Sequence, residues 1–194
     1  MEALQGEDNK GQVGVTDNYG AYKNSFTDHQ LCWAHPIRKV RDLKNSDQIG
    51  EKKRVYAQEV YESLCGLHER LEQAIAERFC LEKRRQHKGV LLKELVNLCK
   101  AKKGEPIKLK KIKKSLEKNQ EKYFTCLLHK GIPTTNNKAE RALRHVVLKR
   151  KISNGTKTEK GANVMSVLFS TVLSLWWRKP KHFFHEYAIL LSPP

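Results

Sequence analysis

From Glu51 to Phe79 the apolar side chains return every three or four residues, at Tyr56, Val60, Leu64, Leu67, Leu71 and Ile75. That spacing follows the 3.6-residue turn of an α-helix and puts all six on one stripe, so this stretch must lie as a helix against something apolar. The same period resumes twice. Leu92, Leu95, Val96 and Cys99 form the buried side of a helix starting near Gly89 and broken by Gly104-Glu105-Pro106. Leu109, Ile112, Leu116, Tyr123 and Leu127 outline a third helix. Residues 46–130 are therefore expected to form helical hairpins without strands. Lys130-Gly131-Ile132-Pro133 is a loop, and the helical period returns in Asn137–Arg150 and in Gly161–Trp177, where Pro180 ends it. Phe183, Phe184, Tyr187 and Leu190 suggest a last short helix. Strand patterns occur only near the start: Gln12–Thr16, with Val13 and Val15 on one face, and His29–Trp33. A short helix, Ala21–Phe26, fits between them, and a basic helix, Ala34–Asn45, follows. The first ten residues are polar without a pattern and read as disordered. The fold class is mostly α with a small α/β part of two or three short strands.

Charge narrows the partners. The 194 residues carry 38 Lys plus Arg against 21 Asp plus Glu, a formal net charge of +17. Such an excess favours a polyanion, with nucleic acid first and an anionic membrane surface second. No apolar run reaches the roughly 18 residues needed to span a bilayer. Met1–Lys10 has neither the basic segment nor the apolar core of a secretory signal, which points to a cytoplasmic protein. Five cysteines at 32, 65, 80, 99 and 126 make no paired framework and read as reduced core thiols.

Four features carry chemistry, and each has an ordinary structural use. Asp17 lies where the first strand meets Asp17-Asn18-Tyr19-Gly20; a carboxylate at a strand end is well placed to hold a metal ion, and equally to cap a following helix. Glu140 sits three residues after Asn137, which is capping-box spacing, and four before Arg144, which is ion-pair spacing. Cys32-Trp33-Ala34-His35 and Cys126-Leu127-Leu128-His129 each offer two soft ligands, but a structural zinc site needs four, and the second pair suits helix packing as well. Lysines 108, 110, 111, 113 and 114 form a stripe that serves either as a solvated helix face or as a phosphate-binding one.

The order of these pieces resembles a known family. Thr16-Asp17-Asn18-Tyr19-Gly20-Ala21-Tyr22 precedes Cys32-Trp33-Ala34-His35 and Arg38. After the helical stretch come Thr135-Asn136-Asn137-Lys138-Ala139-Glu140-Arg141-Ala142-Leu143-Arg144, then Arg150-Lys151-Ile152-Ser153, Gly155 and Gly161-Ala162. This is similar to the DDE-class bacterial transposases of the insertion-sequence sixty-six type, over residues 12 to about 178. The resemblance implies a ribonuclease H-like fold interrupted by an all-helical insertion. Residues 12–45 would form the partial core, 46–130 the insertion and 131–194 the C-terminal helices of the core, after a disordered 1–11. It implies that Asp17 and Glu140 are the second and third catalytic, metal-holding carboxylates, that Cys32 and His35 lie near the site without binding zinc, and that Mg²⁺ or Mn²⁺ is the cofactor. DNA is the implied partner, and a membrane is not. Candidate DNA-binding residues are Arg38, Lys110, Lys111, Lys113, Lys114, Arg141, Arg144, Lys149, Arg150 and Lys151.

The family carries its first aspartate on an earlier strand, and only sixteen residues precede Asp17 here, with Glu2, Glu7 and Asp8 in a patternless segment. The expectation is a C-terminal portion in which the ribonuclease H-like fold is truncated. Such a portion would be inactive alone and completed by a missing N-terminal part or by another subunit of a homo-oligomer. The rival readings are a non-catalytic basic DNA-binding remnant and a generic basic helical protein for RNA or a partner helix.

Overall fold

A computed structural model describes residues 12–18, 26–47, 49–152 and 155–191. The chain divides into two compact units, residues 1–138 and 139–194. The expected disordered N-terminus and most of the short helix expected at Ala21–Phe26 lie outside the described residues.

The first unit begins with β1 (Val13–Thr16) and β2 (Asp28–Leu31), paired in parallel with Val13 opposite Asp28 and Thr16 opposite Leu31. The connection between them is about as long as a parallel crossover needs. The buried positions of β1 are Gly14 and Thr16, with Val13 and Val15 half-buried, because the Phe26 ring lies over Gly14 where a side chain would otherwise stand. β2 buries His29, Gln30 and Leu31; it begins one residue before the expected His29–Trp33 strand and stops two residues short of its end. Helix α1 (Ala34–Lys44) follows after Trp33 and tolerates Pro36 in its first turn, where the missing N–H has no helical partner to lose.

Helices α2 (Glu51–Ala76), α3 (Leu81–Cys99) and α4 (Ile107–Lys118) fill residues 51–118, and no strand occurs among the described residues of 46–130. The 26 residues of α2 bury Ala57, Val60, Leu64, Leu67, Leu71 and Ala74, a strict three-and-four stripe. α3 begins eight residues before Gly89, and its buried line is Leu91, Leu95 and Cys99, with Leu92 and Val96 half-buried. Its early start has a tertiary cause. Buried Arg84 donates through Nη2 to the carbonyls of Ile75 (2.7 Å) and Glu77 (3.3 Å), closing the C-terminus of α2, and its guanidinium lies 4.8 Å from the Phe79 ring centre. The expected third helix is broken. α4 stops at Lys118, a 3₁₀ turn runs Gln120–Tyr123, and α5 (Thr125–Leu128) is a single turn.

The core centres on Trp33, which is fully buried and meets Tyr123, Phe124 and His68 at ring-centre distances of 5.4, 5.5 and 5.8 Å. Its Nε1 donates to the Tyr123 carbonyl at 2.7 Å. Gln30 binds the sheet to the same segment: Nε2 donates to the carbonyls of Leu31 (2.9 Å) and Tyr123 (3.0 Å), and Oε1 accepts from the Cys126 amide (2.7 Å).

The second unit holds most of α6 (Asn137–Ile152), then α7 (Glu159–Arg178), a 3₁₀ turn Pro180–His182, and α8 (Phe183–Leu191). Thr158 caps α7 by accepting from the Gly161 amide at 3.1 Å. Gly155 takes φ +79° as its amide bonds to the Arg150 carbonyl at 2.8 Å, a left-handed turn at the end of α6 that accounts for the glycine after Arg150-Lys151-Ile152-Ser153. Phe183 gathers Trp176, Phe184 and Tyr187 around it. No described residue of this unit is buried, and Leu143, Val147, Trp177 and Phe184 are exposed. No helix among the described residues is long and apolar enough to cross a membrane.

Candidate functional site

Both strands of the parallel pair end at the same edge, and the pairing continues one step past them: the Cys32 amide donates to the Thr16 carbonyl at 2.9 Å. Asp17 and Cys32 therefore leave the sheet side by side. α1 starts two residues after Cys32 and places His35 in its first turn. α4 covers this edge from the other side, where Asn18 Nδ2 donates to Ser115 Oγ at 3.4 Å. The result is a cavity of about 390 Å³ lined by Asp17, Asn18, Cys32, His35 and Lys39 on one side and Lys111 and Ser115 on the other, with Leu31, Ile112, Leu116 and Tyr123 supplying apolar wall. A crevice outside the carboxyl ends of parallel strands is where α/β sheets commonly bind ligands.

The segment before α6 is pinned to the same edge. Trp33 N donates to the Thr134 carbonyl at 3.1 Å, and Asn136 N donates to Cys32 Sγ at 3.5 Å. The Thr134 hydroxyl donates its one hydrogen to Glu72 of α2, so its oxygen accepts from His68 Nε2 at 2.9 Å. His68 thus works as a donor through Nε2. Burial pushes its pKa below the usual histidine value, with the nearby Glu72 carboxylate pulling the other way. α2 in this way holds residues 134–136 in place.

The donor set around the cavity can be tested against a divalent ion. Magnesium wants six oxygen ligands in near-octahedral array, and two-ion phosphoryl transfer needs carboxylates that fix both ions. Asp17 is the one carboxylate among the cavity's lining residues. Among the described residues no three His, Cys, Asp or Glu side chains are grouped so as to hold a metal ion. The groups assembled in this unit do not fit a two-ion centre. Glu140 stands exposed in the first turn of α6, in the second unit. Cys126 is buried in α5, its thiol pushed up to about 12 by burial, and His129 pairs with Asp28 at 3.1 Å.

The basic candidates separate by helix face. Arg38 is exposed on α1, Lys110, Lys111 and Lys114 are exposed on α4, and Arg141, Arg144, Lys149, Arg150 and Lys151 are exposed on α6. Lys113 is not on the exposed face. It is buried with Leu109 and Leu116, paired with the buried carboxylate of Glu105, and donates to the Lys100 carbonyl at 3.1 Å. Sequence reasoning passed over Lys39, Asn18 and Ser115 as site residues. The available signal was spacing: His35 and Lys39 are one turn apart on α1, and Lys108, Lys111 and Ser115 share one face of α4.

The family model described as "Transposase IS66 family" matches residues 2–164. No curated protein and no solved structure matches the chain.

Proposed function

The chain belongs to the IS66 family of transposases, and on that premise we propose that it acts in DNA transposition, with Asp17 and Glu140 as acidic residues of a DNA strand cleavage and transfer site. The observation that carries this reading is the cavity at the carboxyl edge of the β1–β2 pair, where Asp17, Cys32 and His35 come together in the order of the family motif. In this reading β1, β2 and α1 are part of a ribonuclease H-like core, residues 46–130 are its helical insertion, and the helices of 131–194 complete it. Mg²⁺ or Mn²⁺ would supply charge stabilisation at the phosphate and, being hard cations, would bind through carboxylate oxygen. Because the grouped residues do not fit two ions, any such centre draws a further carboxylate from beyond the cavity. Cys32 is buried at the edge, and the Asn136 contact to its sulfur ties the α6 lead-in to the end of β2, beside Asp17. Arg141 and Arg144, one turn apart beside Glu140, are suited to phosphate.

A second reading is favoured by that single carboxylate together with the +17 charge: DNA binding without chemistry. The two separate in a nicking and strand-joining assay on the element's end sequence, with Mg²⁺ or Mn²⁺, using the wild-type chain, Asp17→Ala and Glu140→Ala. Metal-dependent cleavage abolished by either substitution supports the transposase site. Binding that is steeply salt-dependent, without cleavage in any arm, supports the second reading.

A further inference from the structure

We propose that the groove between α1 and α4 holds a single strand of DNA, with one base in the cavity beside Asp17 and the adjoining phosphates on Lys39 and Lys111. This deepens the transposition reading and rests on DNA being the partner.

The cavity at the sheet edge does not end at α4. A second one of about 400 Å³ shares Lys39, Lys111 and Ile112 with it and runs on to Leu43, Ser46 and Lys108. The two make a continuous trough whose direction is set by the packing of α1 on α4. Its rim is cationic: Lys39 and Lys111 border both halves, and Lys108 borders the outer one. Of the two carboxylates along it, Asp42 is engaged by Arg41 at 3.1 Å and Asp17 stands at the inner end. Its floor is apolar, made by Leu31, Leu116 and Ile112.

A rim of lysines over an apolar floor is what an unpaired strand needs, since its phosphates follow the charge while a base lays its face on apolar surface. A duplex offers the rim its phosphates but brings no free base face to the floor, because its bases are already stacked on one another. At the inner end the strand would reach Asp17, which places an unpaired nucleotide beside the carboxylate proposed for cleavage. Lys110 and Lys114 are exposed but line neither cavity, so α4 carries its own control: equal charge on another face.

The test is fluorescence anisotropy with the whole 194-residue chain in EDTA, so that binding is read without cleavage. The probes are a labelled single-stranded oligonucleotide, its blunt duplex, and the duplex with three unpaired nucleotides at one end. Lys39→Ala/Lys111→Ala is expected to weaken single-strand binding by about tenfold and to lower the salt slope by about 1.4, two phosphate contacts at roughly 0.7 each. Lys110→Ala/Lys114→Ala is expected to cost clearly less, about threefold through the loss of general positive potential alone, because neither lysine lines the trough. The unpaired end should restore to the duplex most of the affinity that the blunt form lacks. Equal losses from the two pairs, or a blunt duplex bound as tightly as the single strand, would overturn the groove while leaving DNA as the partner. No binding of any probe by the wild-type chain would overturn the groove and the transposition reading together.

Discussion

Replacing Lys113 alone should strongly destabilise the first unit, for reasons that have nothing to do with DNA. Its side chain is 2 % exposed and that of Glu105 is 0 % exposed, so neither charge can turn to water if the other is removed. Lys113→Met strands a buried carboxylate, and Glu105→Leu leaves the ammonium with only the Lys100 carbonyl. Breaking a buried pair from one side costs about 3–5 kcal/mol. For a domain of this size each kcal/mol lowers Tm by about 2–4 °C, so either single variant should lose about 6–20 °C. Removing both charges is another matter. Lys113→Met/Glu105→Leu withdraws the desolvation penalty along with the attraction and should fall close to wild type, or exceed it by about 1–4 kcal/mol. The assay is urea unfolding followed by far-ultraviolet circular dichroism, run as a double-mutant cycle in which the coupling should exceed about 2 kcal/mol. Single variants within about 1 kcal/mol of wild type, or a double variant as unstable as the sum of the two, would refute the reasoning. The same logic bears on function. An alanine block over Lys110, Lys111, Lys113 and Lys114 would mix a loss of stability into any loss of DNA binding, whereas the block without Lys113 reads the surface alone.

Three further outcomes follow from the buried polar groups and the sheet. The pKa of His68 is held below the unfolded value by burial, so the stability it contributes is complete above about pH 6.5 and is lost as pH falls through the folded value; His29, lowered by burial and by Lys122, acts in the same sense. The urea midpoint of His68→Gln should therefore fall less between pH 7 and pH 5 than that of the wild type, and an equal fall would remove His68 from the pH response. Gln30→Leu leaves the Cys126 amide and the Leu31 carbonyl without their side-chain partner and should destabilise the first unit by about 2–4 kcal/mol in equilibrium unfolding, whereas Gln30→Glu should recover the contact to the Cys126 amide. Gly14→Ala drives a methyl group into the Phe26 ring and should cost about 1–3 kcal/mol, with Gly14→Ala/Phe26→Leu relieving most of it in the same measurement.

The helices were legible because their apolar stripes are long. Six apolar residues from Tyr56 to Ile75 admit only a helix, and α2 covers all of them. What escaped was decided by contacts between segments distant in sequence. Leu81–Lys88 carries one apolar residue among charges, so nothing local marks the start of α3; Arg84 makes it helical by closing α2. Leu116, Tyr123 and Leu127 keep helical spacing across a break, because the 3₁₀ turn at Gln120–Tyr123 preserves a three-residue step. A lysine among lysines reads as exposed, and only its pairing with Glu105 eight residues earlier reveals Lys113 as buried. Asp17, Cys32 and His35 stood out together only through the order of the family motif, and the parallel pairing of β1 with β2 is what brings them to one cavity. The far wall of that cavity was not legible, since Lys111 and Ser115 arrive through the packing of α4.

The cysteines turn this architecture into a clock. All five are free, and they span the accessibility scale: Cys80 is exposed, Cys65 half-buried, and Cys32, Cys99 and Cys126 buried. Burial also pushes the thiols of Cys99 and Cys126 up to about 11 and about 12, which leaves almost no thiolate to react at neutral pH. An alkylating reagent should thus mark Cys80 at once and record by its later additions when each interior region opens. Cys32 is the informative one, because it is buried where the cavity beside Asp17 meets the Asn136 amide. Its alkylation rate measures the breathing of the site itself, and the slowing of that rate by a bound oligonucleotide would time how long the strand stays.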